Sequence, residues 1–221
     1  AIRTKEQYGG HVTALVMGRE SARDALKTAI AMGCDSGVML SDETLASCDA
    51  RMTARVLASA IEKLDDVELA IFGKQAIDGD TGLVPVSVAC ALGWTALSYV
   101  AEVNEVDVDN ARISVARSLE EGRQNCTGTL PAVISVVKEI NEPRYPSFIG
   151  IRKASKAEIP VWDLAELGLD VAEMKAGGAA VIWSDMRPLS ARSGAVDFIE
   201  GESMEVIAAT LADRLMADKV I

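Results

Sequence analysis

An α/β fold built on a mostly parallel twisted sheet with flanking helices is predicted from three observations. Strand-like and helix-like runs alternate from His11 to Phe72 at the spacing of right-handed crossovers. A glycine-rich stretch, Gly73-Lys74-Gln75-Ala76-Ile77-Asp78-Gly79-Asp80-Thr81-Gly82, lies between an apolar run and a helical one, where such sheets bind phosphates. The 221 residues are 49% hydrophobic but only 4% aromatic, which suits one core rich in Ala, Val, Leu and Ile with some structure added to it.

In chain order, Ala1 to Tyr8 reads as the last turns of an amphipathic helix that ends at Gly9-Gly10. His11 to Met17 is a strand, and Glu20 to Met32, with Ala22, Leu26, Ala29 and Ile30 at helical spacing, is a helix. Gly37 to Leu40 is a short strand. Ala50 to Leu64 is a second amphipathic helix with Val56, Leu57, Ala60 and Ile61 inward. Val67 to Phe72 is a buried strand, and Leu83 to Leu92 a helix. Ala96 to Val103, Arg112 to Arg117 and Gly122 to Thr129 are strands separated by turn residues, an antiparallel addition to the sheet. Leu130 to Val137 is another buried strand, after which Pro143 and Pro146 stop regular structure.

Beyond Lys156 the pattern changes. Ile159 to Asp170 carries Pro160, Trp162 and Leu164, Ala176 to Ala180 is rich in Gly and Ala, and a polar tail runs to Glu202. Only Ser203 to Val220 regains helical periodicity, with Val206, Ile207, Leu211 and Leu215 on one face. The organisation is therefore a nucleotide-binding α/β domain over 1–158, nucleotide-hydrolase-like and Rossmann-like, and a C-terminal arm and helix over 159–221 that lies on this subunit or on a partner.

Charge and composition remove several function classes. A net charge of −11 argues against a nucleic-acid surface, which needs a basic stripe. Cys34, Cys48, Cys90 and Cys126 have no CxxC spacing, so neither a zinc site nor a disulfide framework is expected. With no apolar run of membrane-spanning length and no signal peptide, the chain is expected to be cytoplasmic. His11 is the sole histidine, so a hydrolytic triad is not expected.

Within the loop, Gly73, Gly79 and Gly82 are read as supplying positive φ and close approach to a ligand, and the helix start as supplying amides to an anion. Asp78 and Asp80 would repel a phosphate unless turned to ribose or adenine, to the helix cap or to a metal; with no adjacent His or Lys arrangement, acid–base catalysis is not expected of them. Lys74 is either a phosphate contact or a solvated lysine. Trp94, Trp162 and Trp183 read as packing rather than flavin stacking, and Arg144 as a brace paired with Glu142.

Four blocks carry a resemblance. Ala29-Ile30-Ala31-Met32-Gly33-Cys34-Asp35, the loop Gly73 to Gly82, Leu130-Pro131-Ala132-Val133-Ile134-Ser135-Val136, and Asn141-Glu142-Pro143-Arg144-Tyr145-Pro146-Ser147 closely resemble, in order and over roughly residues 1 to 170, the β (small) subunit of electron transfer flavoprotein. That resemblance implies a heterodimer whose α subunit holds most of a redox-active FAD. The β subunit then lends a scaffold, a site for AMP or, in electron-bifurcating members, a second FAD, and a docking loop for a dehydrogenase of the acyl-CoA dehydrogenase type. By position, the implied cofactor-binding residues are Met17, Gly73, Lys74, Gln75, Ala76, Ile77, Asp78, Gly79, Asp80, Thr81, Gly82, Leu83 and Val84. The implied docking loop runs from Tyr145 to Lys156, with Phe148 as its apolar projection and Ile149, Ile151 and Arg152 beside it.

The sequence departs from the family's pattern in several places. Leu83-Val84-Pro85-Val86 stands where members have Gln followed by Val-Gly-Pro, which removes a side-chain donor and one helix-start amide. Phe148 replaces a common Leu, and Ser118 follows Arg117 where many members have Glu. The family's amino-terminal strand and loop, which also line its nucleotide site, are not in this sequence. Three readings follow: an electron carrier with structural AMP, an electron-bifurcating subunit that oxidises NADH, and a non-redox nucleotide-binding regulatory domain.

Overall fold

The structure is a computed structural model that describes residues 1–77, 79–170, 172, 174, 179–182, 184, 187–188 and 196–220. Asp78, Trp183 and most of the Ala176 to Ala180 piece, which figure in the readings above, lie outside the described residues. The chain divides into two compact units, Ala1–Ile182 and Trp183–Ile221.

The first unit holds α1 (Ile2–Tyr8), β1 (Thr13–Met17), α2 (Arg23–Met32), β2 (Ser36–Leu40), α3 (Ala50–Lys63), β3 (Leu69–Gly73), α4 (Val84–Leu92), β4 (Thr95–Asp107), β5 (Arg112–Leu119), β6 (Gly122–Thr129), β7 (Ala132–Val136), α5 (Phe148–Lys156) and β8 (Val161–Trp162). Its described strands form two sheets. One is parallel throughout, in the order β1-β2-β8. The other runs β3-β7-β4-β5-β6, parallel from β3 to β4 and antiparallel from β4 to β6. The α/β class and the antiparallel addition are thus both present, distributed over two sheets with β1 and β3 each at a sheet edge.

Side-chain alternation explains the layering. In β2, Val38 and Leu40 point to one face and Met39 to the other, and all three are buried. A strand covered on both sides has no polar alternation, which is why it reads as one apolar run. Val38 and Leu40 join Val56, Ala60 and Ile61 of α3, Ala70 of β3, Val88 of α4 and Val133 of β7 in one cluster. Met39 joins Leu26 and Ile30 of α2 and Ala154 of α5 in a second. A third cluster, with Val100, Ile113, Val115 and Ile134 at its centre, fills the opposite face of the larger sheet. Leu164, Leu167 and Leu169 also enter the α3 cluster, so the segment after Lys156 adds to this core.

Local chemistry sets the helix ends. The Asp49 carboxylate caps α3 by accepting from the Met52 N–H at 2.9 Å, and its other oxygen accepts from the N–H groups of Ala180 and Val181. Those bonds, led by the one from Met52, hold its carboxyl below the usual aspartate range. Gly33 and Gly93 close α2 and α4 with positive φ. In the second unit, α6 (Met204–Ala217) is capped by Ser203, and Arg214 pairs with Asp197. Met204, Val206, Leu211 and Met216 on this helix are exposed.

Candidate functional site

The loop 74–83 leaves the carboxyl end of β3 and enters α4, as the sequence predicts. Its root is pinned to the sheet, because the Lys74 N–H donates to the Val136 carbonyl of β7 at 2.9 Å. A turn closes from the Asp80 N–H to the Ala76 carbonyl at 2.9 Å, and the Gln75 side chain donates to the Asp80 carboxylate. Asp80 is therefore held by the loop itself. Ile77 stands fully exposed at the turn.

The glycines divide differently from the reading of the sequence. Gly82 has φ +61° and Asp80 φ +48°, whereas Gly73 has no left-handed φ. Gly73 is instead the last residue of β3. Gly79 matters for space: a Cβ built there would meet no atom of the described residues within 4 Å, its chain neighbours aside. Pro85 sits in the first turn of α4, so one of that turn's amides is missing, and Leu83 provides no side-chain cap. Thr81 and Leu83 are exposed, and Val84 is the first helical residue. Met17 ends β1 half-buried and packs against the α3 cluster.

The segment expected to dock partners is a helix rather than a loop. Ser147 caps α5 by accepting from the Gly150 N–H at 3.0 Å, so Phe148 is a first-turn helical residue. Phe148 is 93% exposed and Ile149 85%, with Tyr145, Ile151 and Arg152 also exposed. The opposite side of α5 is fixed against α2. A Cβ at Gly150 would lie 2.1 Å from the Ala31 carbonyl oxygen, so the close approach requires glycine.

The Asn141 to Ser147 block is anchored from α1 instead of from within. Arg144 donates through both terminal nitrogens to Glu6, at 2.7 and 2.8 Å, in place of the expected Glu142 pairing. This bond keeps the Glu6 carboxyl below the usual range. Lys5 of the same helix pairs with Asp35 at 2.7 Å, which ties α1 to the turn before β2. His11 is an exposed residue ahead of β1 within 2.9 Å of the Ser36 hydroxyl. Trp94 and Trp162 pack against the α3 cluster, and the Lys63 ammonium lies 4.5 Å from the Trp162 ring centroid.

The known proteins with this pattern place it. Residues 1–167 match the electron transfer flavoprotein domain. The chain belongs to the electron transfer flavoprotein family. It resembles the electron transfer flavoprotein subunit beta of Megasphaera elsdenii, 33% identical over 95% of this chain and 79% of that protein. The corresponding subunit of Mycobacterium leprae is 38% identical over 85% of this chain and 71% of its own length. Protein FixA of Azorhizobium caulinodans is 33% identical over 97% and 79%. Within the electron transfer flavoprotein family this is a β-subunit sequence. Among the described residues no helix is long and apolar enough to cross a membrane, and no group of His, Cys, Asp or Glu could hold a metal ion.

One feature near the loop escaped the sequence reading. Tyr99, inside β4, has φ +62° and lies at a register shift between Leu97 and Val100. Its signal is the spacing of the buried residues Leu97, Val100 and Ala101, which breaks the two-residue period of a regular strand.

Proposed function

We propose that this chain is the β subunit of a heterodimeric electron carrier, that it holds AMP over the loop between β3 and α4, and that it meets a dehydrogenase of the acyl-CoA dehydrogenase type through α5. The observation that carries the nucleotide reading is the open space at Gly79, in a loop that joins a strand's carboxyl end to a helix start. The amides of the first turn of α4 lie outside the helix's own ladder and are the donors for a phosphate. Gln75 holds Asp80 to the loop, which limits that carboxylate's freedom to turn on an anion. Lys74 adds a positive charge at the loop's root.

The α subunit of the pair is taken to hold most of a FAD, and that flavin, when bound, supplies the electron chemistry. This chain's contribution is placement. Phe148 and Ile149 present an apolar anchor, Gly150 and Ala154 fix its base, and Arg152, Lys153 and Lys156 surround it with positive charge on an otherwise acidic chain.

The test is to express the chain with its α subunit, denature the purified heterodimer and identify what is released. One flavin and one AMP per heterodimer are expected. Two flavins and no AMP would overturn the AMP assignment in favour of a second FAD in this subunit. Gly79→Val, whose side chain would enter the open space, is expected to lose the AMP and keep the α subunit; AMP retained in full would remove the loop from the site.

A further inference from the structure

Asn141 to Ile149 are all exposed, so burial does not hold the segment that leads into and carries the apolar anchor. Among the described residues, the bonds from Arg144 to Glu6 are the only hydrogen bonds or ion pairs that join Asn141 through Pro146 to the rest of the chain. The pair is bidentate, a geometry that fixes orientation as well as distance, and it links positions 138 apart in sequence.

Little slack separates this clamp from the anchor. Pro143 and Pro146 fix their own φ and bias Glu142 and Tyr145 to extended backbone, and Ser147, soon after Arg144, caps α5. Phe148 follows at once. Behind it Gly150 lies against the Ala31 carbonyl, so the exposed Phe148 and Ile149 are held from either side. The post that carries Glu6 is itself fixed. Lys5 donates to both oxygens of Asp35, at 2.7 and 2.9 Å, the Ile2 side chain lies against Gly33, and Tyr8 packs against the cluster on the larger sheet. Ala31, Gly33 and Asp35 belong to the end of α2 and the turn after it, so α1 and α5 are both registered on one stretch of backbone.

We infer that Glu6 and Arg144 are positioning residues for the dehydrogenase: their pair sets where Phe148 and Ile149 stand, so that the anchor meets its partner already ordered. The inference rests on the docking role proposed for α5 and adds α1 to it. Ordering the segment beforehand acts on affinity for the partner and not on the electron transfer that follows. If Arg144 only added charge to the steering cluster, the sign would be opposite. Removing the Glu6 carboxylate would then strengthen the positive field near α5 and speed association with an acidic partner, whereas under positioning the same change slows it.

The test follows flavin reduction in the assembled heterodimer over a range of cognate dehydrogenase concentrations, for the parent, Glu6→Gln, Arg144→Gln, the double variant and Phe148→Ala. Glu6→Gln is expected to raise the half-saturating concentration about fivefold, the scale of ordering one side chain, with the limiting rate and flavin content unchanged. Its unfolding midpoint is expected to stay within a few degrees of the parent's, since exposed ion pairs contribute little to folding. Adding Glu6→Gln to Arg144→Gln is expected to change nothing further, because the pair is already broken. A slowed Phe148→Ala beside a Glu6→Gln that matches or outpaces the parent would overturn the positioning and leave the docking surface standing. Single effects that multiply in the double variant would overturn it as well. Reduction unchanged in Phe148→Ala would remove the docking role of α5, and the positioning with it.

Discussion

At φ +61°, Gly82 holds a backbone that costs any other L-residue about 1–2 kcal/mol, whereas a methyl group at Gly79 would meet no atom of the described residues beyond its chain neighbours within 4 Å. Gly82→Ala is therefore expected to lower stability by about 1 kcal/mol and Gly79→Ala to stay within about 0.5 kcal/mol, read from urea unfolding. The two glycines look equivalent in the sequence because composition shows where a turn can bend but not which residue bends it. Asp49 carries a second prediction at this scale. Its folded-state pKa lies below the usual aspartate value, so its contribution is fully present above about pH 5 and is lost as the pH falls through the depressed value, below about pH 4. Asp49→Ala should destabilise by about 1–2 kcal/mol at pH 7, through the lost cap and the unpaired amides of Met52, Ala180 and Val181, and the gap to the parent should shrink near pH 3. An equal gap at both pH values would show that the carboxylate's charge is not what matters.

The elements were legible wherever burial imposes a period. Leu26 and Ile30 of α2, Val56, Ala60 and Ile61 of α3, and the three-residue apolar core of β2 all lie where spacing places them. Two elements differ, and for physical reasons. Pro143 and Pro146 mark a break so strongly that the Ser147 cap and the short helix behind it read as loop, and the side of that helix facing α2 carries Gly150 and Ala154 rather than large apolar residues, so no buried apolar period marks it. In β4 the bulge at Tyr99 lies within a run whose composition is ordinary for a strand. The role of Gly150 in α5 gives a prediction: Gly150→Ala drives a methyl group into a backbone carbonyl and should cost about 1–3 kcal/mol, measured by urea unfolding. Phe148→Ala, at a side chain 93% exposed, should leave the unfolding midpoint unchanged and slow flavin reduction by the cognate dehydrogenase in the assembled heterodimer. Unchanged reduction at low dehydrogenase concentration would take α5 out of the docking surface.

Over the whole molecule, a chain of net charge −11 carries Arg152, Lys153 and Lys156 together on one short helix with the exposed Phe148. Electrostatic steering by that cluster predicts that the bimolecular rate of reduction falls several-fold between about 10 mM and 150 mM salt, as screening shortens its reach from roughly 30 Å to 8 Å. A rate independent of salt would mean that apolar contact alone selects the partner. The candidate site was legible in part because loop, helix start and apolar anchor are each continuous in sequence. A pocket at the loop's root, lined by Lys74, Tyr99, Leu119 and Val136, was not, since it gathers residues from 74 to 139 that only strand pairing brings together. The rims of the two sheets carry a final consequence. Thr13–Met17 and Leu69–Gly73 are greasy ribbons bordered by backbone donors and acceptors, with no lysine or proline of their own to deter a visitor. Each is a template on which a stray extended peptide can zip, so the isolated subunit should clump as its concentration rises.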